Sequence, residues 1–379
     1  MTTTADRTKT GPKLARLQEI IERRNLDGIV LSSYQNVSYF GGTHLMTQVS
    51  LPDRLAFLVV PRASDPTLIV CGIETRQVLT QTDVADVRDY VEFAENPTSV
   101  LAAVLKERKL GAGSIGIDAR RLPVASGELL QESLSGVELV SVDDDIELAQ
   151  AVKDAREIAV LEAAAKATLA AAEETAAELR AGSTERDFST GAFLKLMQKG
   201  GVPLFIVFAS GPKTMQAHPE SSDEPMQPGT LWRIDFGARF EEVINSDLAR
   251  TGVVGEPSRE QEATLIALRA TQDAGFKAIE PGRPAKDVFN AVKDEFKRQG
   301  LPFSMPHIGH GMGIGLHEFP MLEPGNDIKL QTGMVLNIEP MAVVESRQEA
   351  YHTEDLAEVT PNGARLLTPP QQRLLRIRA

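Results

Sequence analysis

The stretch LWRIDFGARFEEVINSDLARTGVV, residues 231–254, contains two apolar, strand-like segments, and each carries an aspartate, Asp235 or Asp247. A carboxylate inside an apolar strand is costly unless a cation or hydrogen bonds compensate it. A hairpin that joins the two segments would bring both carboxylates to one site. Taken singly, an aspartate in such a place can also be a turn or capping residue, so the rest of the chain has to supply partners.

Three further segments of the C-terminal half carry candidate partners. Glu339 lies in MVLNIEP (334–340), and Glu354 lies in HTED (352–355). The segment HIGHGMGIGLHE, residues 307–318, offers histidines as neutral nitrogen ligands and glycines that permit close backbone approach. A lone histidine is more often a hydrogen-bonded structural residue than a ligand. The segments taken together nevertheless predict a metal site.

The order Asp, Asp, His, Glu, Glu with these flanks resembles the metallopeptidase superfamily that includes aminopeptidase P, prolidase, methionine aminopeptidase and creatinase. The resemblance covers nearly the whole chain, since the motifs DFG, SDxxRT, GHG, HE, IEP and ED with VT follow one another in that order. It implies a creatinase-like α/β N-terminal domain, residues 1–150, and an α+β pita-bread catalytic domain, residues 151–379. It also implies a homodimer that cleaves an amide bond in a small peptide as an Xaa-Pro dipeptidase or an aminopeptidase P-like enzyme.

By this resemblance, two divalent metal ions bind per chain. Asp235 would hold one ion, His310 and Glu339 would hold the other, and Asp247 and Glu354 would bridge them. Ions placed in this way share one water and lower its pKa. An oxygen-rich ligand set with a single imidazole favours Mn, with Co, Fe and Zn as alternatives.

Three residues are candidates for catalysis by the same resemblance. Glu339 would be the general base that takes the proton from the water and passes it to the departing amine. His218, in the polar segment GPKTMQAHPES, and His317 match family histidines that polarise the substrate carbonyl and stabilise the oxyanion. The alternative for His218 is an exposed loop residue without a catalytic role.

Two departures from the family pattern concern the substrate. His307 stands three residues before His310, whereas prolyl-specific relatives have a histidine four residues before the ligand. His352 stands two residues before Glu354, where those relatives typically carry an arginine. A titratable imidazole there weakens carboxylate recognition or retunes the network around the ligands, so both histidines are candidates for substrate or supporting contacts.

These departures keep other functions open. One alternative is a related amidohydrolase that acts on a small nitrogenous compound, as an ectoine-type hydrolase does. Another is a non-catalytic pita-bread binding protein, although such proteins typically lose ligands and this chain has lost none.

A third departure concerns the fold, because Asp235 and Asp247 lie one position farther apart than is usual in the relatives. That spacing predicts a longer or bulged turn that still restores the strand register.

Alternating strand and helix patterns predict the layer of the N-terminal half. Strands are predicted at 29–33, 55–60, 67–71 and 114–118, and helices at 12–24, 74–80, 99–108 and 125–133. The stretch from Ile146 to Ala181 has neither Gly nor Pro and is rich in helix formers, which predicts a pair of helices and a domain boundary near residue 150. Beyond it, helices are predicted at 184–199, 258–279 and 284–299, and strands at 203–210, 231–236, 243–254, 333–339 and 355–360.

Composition excludes several classes of function. The formal net charge of -13 and the lack of a Lys/Arg-rich run disfavour nucleic acid as a partner. The polar N-terminus MTTTADRTKTGPK is not typical of a signal peptide, and no apolar run suits a membrane span, so a cytoplasmic protein is expected. Cys71 is the single cysteine, which excludes an intrachain disulfide or a cysteine-based metal site and indicates a core residue.

Overall fold

The computed structural model describes residues 11–51 and 53–379. They form two compact units, unit 1 and unit 2, which divide between Ala149 and Gln150. The prediction that the N-terminus is not typical of a signal peptide rests mostly on residues 1–10, which lie outside the described residues. Among the helices of the described part of the chain, none combines the length and the apolar character of a membrane span.

Unit 1 is built around a mixed, six-stranded sheet. Its strands are β1 (Gly28–Leu31), β2 (Phe57–Pro61), β3 (Thr67–Cys71), β4 (Asp86–Tyr90), β5 (Ser114–Ile117) and β6 (Glu138–Ser141), in the spatial order β4-β3-β2-β1-β5-β6. β2 runs antiparallel to both neighbours, and the other pairs are parallel. The strands β1, β2 and β3, which form within the predicted apolar runs or overlap them, are buried along their whole length, and Cys71 is buried, as predicted.

The sequence patterns do not predict the two edge strands, β4 and β6. Both strands are only partly buried, and β4 has the sequence DVRDY, which is largely charged. An edge strand has a neighbour on one side alone, and charged side chains there prevent unwanted pairing with other chains. Such strands therefore lack the apolar run that marks a central strand.

Helices cover this sheet: α1 (Pro12–Arg24), α2 (Tyr34–Gly41), α3 (Met46–Ser50), α4 (Thr75–Gln81), α5 (Pro97–Glu107) and α6 (Val124–Ser133). The apolar face that predicts α1 is buried and consists of Leu14, Leu17, Ile20 and Ile21. The helix ends at Arg24, and the capping residue Asn25 adopts a left-handed conformation typical of helix termini.

The stretch without Gly or Pro forms two helices, as predicted: α7 (Asp143–Ala151) and α8 (Ala155–Glu178). The carboxylate of Asp154 accepts hydrogen bonds from the backbone N–H groups of Arg156 and Glu157, and the Glu157 side chain accepts one from the N–H of Asp154. This reciprocal cap starts a new helix. The break between the helices therefore follows from the capping residues and needs no glycine.

Unit 2 contains α8, α9 (Glu185–Gln198), α10 (Arg259–Ala278) and α11 (Ala285–Gln299) together with two four-stranded sheets and a hairpin. The first sheet has the order β16 (Leu375–Ile377), β9 (Leu248–Val254), β8 (Leu231–Arg239), β7 (Val202–Ser210). The second has the order β10 (Gly309–Gly311), β11 (Val335–Ile338), β14 (Asp355–Thr360), β15 (Gly363–Leu366). The hairpin pairs β12 (Met341–Val344) with β13 (Glu349–His352).

Each sheet turns one face toward a helix-covered core. On β8, Trp232, Ile234 and Phe236 pack in one cluster with Phe188 of α9. On β11, Leu336 and Ile338 belong to a second cluster that includes apolar residues of α10 and α11. Successive side chains of a strand point to opposite faces, so Asp235 lies on the face of β8 away from the first core. The positions predicted to carry chemistry are thus left free of the apolar cores.

Candidate metal centre

Asp235 and Asp247 lie on the hairpin formed by β8 and β9. The two strands keep one register up to the bridge between Arg239 and Asn245. The turn beyond that bridge contains the 3-10 segment Glu241–Val243, which accommodates the additional residue. The prediction that the turn restores the strand register is therefore confirmed.

The chain just before β9 departs from the strand predicted over residues 243–254. The backbone N–H of Asn245 donates to the carbonyl of Gly313 (2.8 Å), and its side-chain amide donates to the carbonyl of Ile314 (2.7 Å). β9 accordingly begins at Leu248. The start of the predicted strand is wrong, because Asn245 forms only an isolated bridge with Arg239 and gives its backbone N–H to the glycine-rich segment.

Gly237 allows the hairpin to close tightly beside the two aspartates. A Cβ atom at this position would lie 1.9 Å from the carbonyl oxygen of Ser246 and 2.9 Å from a ring carbon of Phe205. Glycine is the residue that permits so close an approach of two backbones. The close approach of the two backbones thus explains why this chain has glycine at the third position of the DFG motif.

The other predicted ligands come from the second sheet. His310 lies in the middle of β10, Glu339 directly follows β11, and Glu354 directly precedes β14. The backbone N–H of Glu354 donates to the carbonyl of Ala249 on β9 (3.1 Å). The two sheets therefore meet where the ligand-bearing strands begin or end.

All five predicted ligands converge at this meeting point. Among the described residues, three groups have ligand atoms within 4.8 Å of one another: Asp235 with Asp247 and Glu354, His310 with Glu339 and Glu354, and Asp247 with His310 and His317. Nε2 of His310 lies 3.5 Å from Glu339 Oε1, 3.8 Å from Glu354 Oε1 and 3.9 Å from Asp247 Oδ2. Shared members join the three groups into one cluster, called the metal cluster below.

Burial dominates the electrostatics of the metal cluster. It raises the pKa of Asp247 and Glu354 well above the ordinary carboxyl value, and the neighbouring carboxylates raise both further. Burial also raises the pKa of Asp235. For His310, burial lowers the pKa to about 4, so the imidazole is neutral at pH 7 and offers a nitrogen lone pair.

Glu339 differs from the other carboxylates because two histidines flank it. Nδ1 of His307 lies 3.3 Å from Glu339 Oε1, and Nε2 of His352 lies 3.7 Å from Glu339 Oε2. Burial acts to raise the pKa of Glu339, but these imidazoles outweigh it and hold the pKa below the ordinary value. In return, the Glu339 carboxylate raises the pKa of His307. Glu339 is therefore the carboxylate of the cluster that stays charged most readily.

The metal cluster contains buried atoms for which the described residues supply no hydrogen-bond partner: Asp247 Oδ1, His310 Nε2, Glu339 Oε1 and both carboxylate oxygens of Glu354. Buried polar atoms are almost always paired, and buried carboxylates without a cation are costly. A divalent cation is the partner that such a donor set lacks.

The remaining predicted histidines occupy different places. His317 stacks on His310 with ring centroids 4.0 Å apart, and its side chain is exposed. His352 is buried, with Nδ1 3.9 Å from Asp235 Oδ2. His218 is exposed between the 3-10 turn Gly211–Met215 and β8, and the metal-binding groups of the described residues do not include it. The catalytic role of His218 therefore stays a prediction.

A buried ion pair beside the ligands was not evident from the sequence. Nη2 of Arg250 lies 2.6 Å from Asp355 Oδ1, and both side chains are at most 1% exposed. Arg250 also donates to the carbonyl of Glu354 (2.7 Å), while Gln272 donates to the carbonyl of Ile338 (2.8 Å) and to Asp355 (3.2 Å). These contacts hold the backbone next to Glu339 and Glu354. The signal in the sequence is a second charged residue near each ligand, in SDLAR and in TED.

A second buried pair supports the glycine-rich segment. Nζ of Lys153 lies 2.6 Å from Glu318 Oε2 and donates to the carbonyl of Gln150 (2.6 Å). The other carboxylate oxygen of Glu318 accepts the backbone N–H of Gly315 (2.7 Å). The pair therefore fixes the loop that lies between His310 and His317.

Replacing Lys153 with Met is expected to lower the free energy of unfolding by about 3–5 kcal/mol, because it leaves the Glu318 carboxylate buried without its cation. Urea denaturation measures the change. The double variant K153M/E318Q should recover part of the loss, and Lys293→Met, at an exposed position on α11, is the control. A loss in K153M no larger than in the control would contradict this account of the pair.

Two family models match the chain. The model of metallopeptidase family M24 matches residues 159–361, and the model of the creatinase/prolidase N-terminal domain matches residues 13–158. The first match covers more than half of the chain and contains all members of the metal cluster.

Curated relatives and solved structures agree with these models. The chain is 28% identical over 370 residues to the Xaa-Pro dipeptidase of Pyrococcus furiosus, covering 96% of this chain and 99% of that protein. It is 30% identical over 345 residues to the probable dipeptidase PepE of Mycobacterium tuberculosis, covering 89% of both. The crystal structure of dipeptidase PepE from Mycobacterium ulcerans has a TM-score of 0.85 and 27% identity, with 100% of both chains covered. The predicted fold class, a creatinase-like domain followed by a pita-bread domain, is therefore confirmed.

Proposed function

The chain belongs to metallopeptidase family M24, and from this membership we propose that it is an Xaa-Pro dipeptidase or an aminopeptidase P-like enzyme. It is a metal-dependent peptidase by family. The observation that carries the proposal is the metal cluster, whose buried and unpartnered donor atoms come from four separate segments of the chain, with Asp235 beside them on a fifth. The names of the relatives, Xaa-Pro dipeptidase and dipeptidase, favour a small peptide as the substrate.

The ligand assignment is part of this proposal. Two divalent ions, with Mn favoured and Co, Fe or Zn as alternatives, would be held by Asp235 on one side and by His310 with Glu339 on the other. Asp247 and Glu354 would bridge the ions. The geometry supports the bridging roles because Asp247 and Glu354 each share a group of ligand atoms with Asp235 and another with His310, whereas Asp235 and His310 share none.

The residues in and around the metal cluster would have different roles in catalysis. When bound, the ions supply the acidity that makes water a nucleophile at neutral pH. Glu339 accepts the proton of the attacking water, because the two flanking histidines keep its carboxylate charged, and later passes that proton to the departing amine. His317, on the exposed side of His310, and His218 would stabilise the negative charge that develops on the substrate oxygen.

His352 bears on the choice of substrate. Its imidazole lies between the carboxylates of Asp235 and Glu339, at 3.9 and 3.7 Å, and its residue is 5% exposed. It therefore serves as a partner for predicted ligands and has little surface left for a substrate carboxylate. This observation keeps an ectoine-type amidohydrolase as the second candidate.

A substrate panel with the Mn-reconstituted protein distinguishes these functions. We expect turnover of Xaa-Pro dipeptides or of longer peptides with proline in the second position, with cyclic and guanidino compounds left intact. Glu339→Gln protein, purified in parallel, should be inactive on the same panel and controls for contaminating peptidases.

Other results would favour the alternatives. Hydrolysis of ectoine-like compounds without any peptide turnover would replace the peptidase proposal with the amidohydrolase one. Well under one bound ion per chain after reconstitution with each metal would favour a binding protein instead.

The remaining parts of the proposal concern the whole chain. We keep residues 1–150 and 151–379 as the two functional domains, and the break between the compact units supports this division. A homodimer is proposed from the resemblance, and a cytoplasmic location from the composition.

A further inference from the structure

The segment of residues 210–222, called the His218 loop, is the first part of the connection between β7 and β8 and carries His218 near its middle. It begins with the 3-10 turn Gly211–Met215, and residues 216–218 are exposed. An exposed side chain on a long connection ordinarily loses much conformational entropy when it is held for catalysis. The contacts that hold this loop therefore determine whether the His218 side chain has a fixed position.

One carboxylate closes the two ends of the loop. Glu185, the first residue of α9, is 1% exposed. Its Oε1 accepts from the backbone N–H and the hydroxyl of Ser210 (2.8 and 2.9 Å), and its Oε2 accepts from the backbone N–H and the hydroxyl of Ser222 (both 2.8 Å). Nζ of Lys213 also contacts Oε2 (2.5 Å). The ends of the loop are thus joined independently of β8.

One guanidinium holds the middle of the loop. Arg233 on β8 is 1% exposed, and its Nε donates to the carbonyl of Thr214 (2.8 Å). Its Nη2 donates to the carbonyl of Ala217 (2.9 Å) and also to that of Gln216. Among the described residues, no carboxylate forms a salt bridge with Arg233, so its hydrogen bonds go to this loop. A buried charge is costly unless such bonds compensate it.

Arg233 also connects the loop to the metal cluster. It stands two residues before Asp235 on the same strand, so both side chains lie on one face of β8. Its last bonded carbonyl belongs to Ala217, directly before His218. Glu185 holds the two ends of the loop together. Arg233 makes a different contact, because it connects the strand that carries Asp235 to Ala217, the residue next to His218.

We propose that Arg233 is a positioning residue that fixes His218 relative to Asp235, so that the imidazole meets the carbonyl of the substrate. This inference rests on the proposed function, because it requires that His218 act on an amide substrate at the metal cluster. Arg233 itself does not touch the substrate. It acts through His218.

A double-mutant cycle with Arg233→Met and His218→Ala tests the coupling in the metal-reconstituted enzyme. Arg233→Met should lower kcat about 10–100-fold, the range for loss of a residue that orients a functional group. KM should change far less, because stabilisation of the developing oxyanion operates in the transition state. In the His218→Ala background, Arg233→Met should cause no further loss of kcat.

Two measurements separate this role from a structural one. Bound metal per chain should be the same in wild type and Arg233→Met. Trypsin should cleave after Lys213 faster in Arg233→Met than in wild type, because the middle of the loop is released. Arg186→Met is the matched control: Arg186 pairs with Asp223 beside the loop but is exposed, and its loss should leave kcat and cleavage at Lys213 unchanged.

Several results would overturn the inference. Independent losses of kcat from the two substitutions, loss of metal in Arg233→Met, or full activity of His218→Ala would each do so while leaving the peptidase function intact. Absence of amide hydrolysis by the wild-type enzyme, by contrast, would overturn the proposed function and this inference with it. The two failures are therefore distinguishable.

Discussion

We expect that replacing Asp247 with Asn will remove both the bound metal and the turnover of peptide substrates. Asp247 is 5% exposed, occurs in two of the three groups of ligand atoms, and has one oxygen without a hydrogen-bond partner among the described residues. Loss of a partner that merely orients a metal ligand costs roughly 10–100-fold, so loss of a bridging ligand should lower kcat by more than about 1,000-fold. Elemental analysis and steady-state kinetics measure the two effects.

The same variant should remain folded. Burial raises the pKa of Asp247 in the metal-free protein, so a neutral amide of the same shape removes a destabilising charge there. Thermal denaturation of the metal-free forms checks this point. Asp294→Asn, at an exposed position on α11, is the matched control and should keep both metal and activity. Retained turnover in Asp247→Asn would contradict the proposed mechanism.

Removal of metal by a chelator is the second large effect, and its cost in stability should grow with pH. A ligand present at 100 times its Kd stabilises the folded state by about 2.7 kcal/mol. For a unit of this size that corresponds to a decrease in Tm of roughly 5–10 °C on chelation. Activity should be lost at the same time. Differential scanning calorimetry at a series of pH values measures the difference between the two forms.

The sign of the pH dependence follows from the three carboxylates with raised pKa values, Asp235, Asp247 and Glu354. Their protonation stabilises the metal-free fold fully below the ordinary carboxyl pKa of about 4, and this contribution is lost as the pH rises through the raised values. Glu339 and His310 have lowered pKa values and act in the opposite direction, but above pH 5 Glu339 is already charged and His310 already neutral in the metal-free fold, so neither changes the gap between the two forms. Bound cations remove the penalty, so the gap in Tm should widen from pH 5 to pH 8.

Asp247→Asn protein provides the control for this measurement, since its Tm should respond little to metal or chelator. Equal melting of the metal-loaded and metal-free wild type at pH 8 would contradict the account of the cluster. A gap that narrows with rising pH would do so as well.

The fold was predictable wherever burial leaves a pattern in the sequence. The central strands β1, β2 and β3 are continuous apolar runs, and α1 shows one apolar face. The edge strands β4 and β6 lack such runs because one margin of each has no neighbour. The short strands β12 and β13 depend on pairing with each other, and no local residue pattern announces that pairing.

Asp235 and Asp247 were accessible from the sequence because a charge inside an apolar, strand-like segment is anomalous, and the full set of five ligands followed from the resemblance to the metallopeptidase superfamily. Their supporting residues were not accessible in this way. Arg250 and Asp355 form a buried pair across more than 100 positions, and so do Lys153 and Glu318. In the sequence, each of these four residues taken alone is indistinguishable from an ordinary charged surface residue. Only the folded chain reveals that each charge has a buried partner.

The steric closure at Gly237 has an evolutionary consequence. A single added carbon there would collide with the carbonyl of Ser246 on the opposite side of the hairpin. Every substitution at this position, even by alanine, therefore requires the two backbones of the hairpin to separate. A residue without any functional group thus limits which sequences can carry the metal cluster.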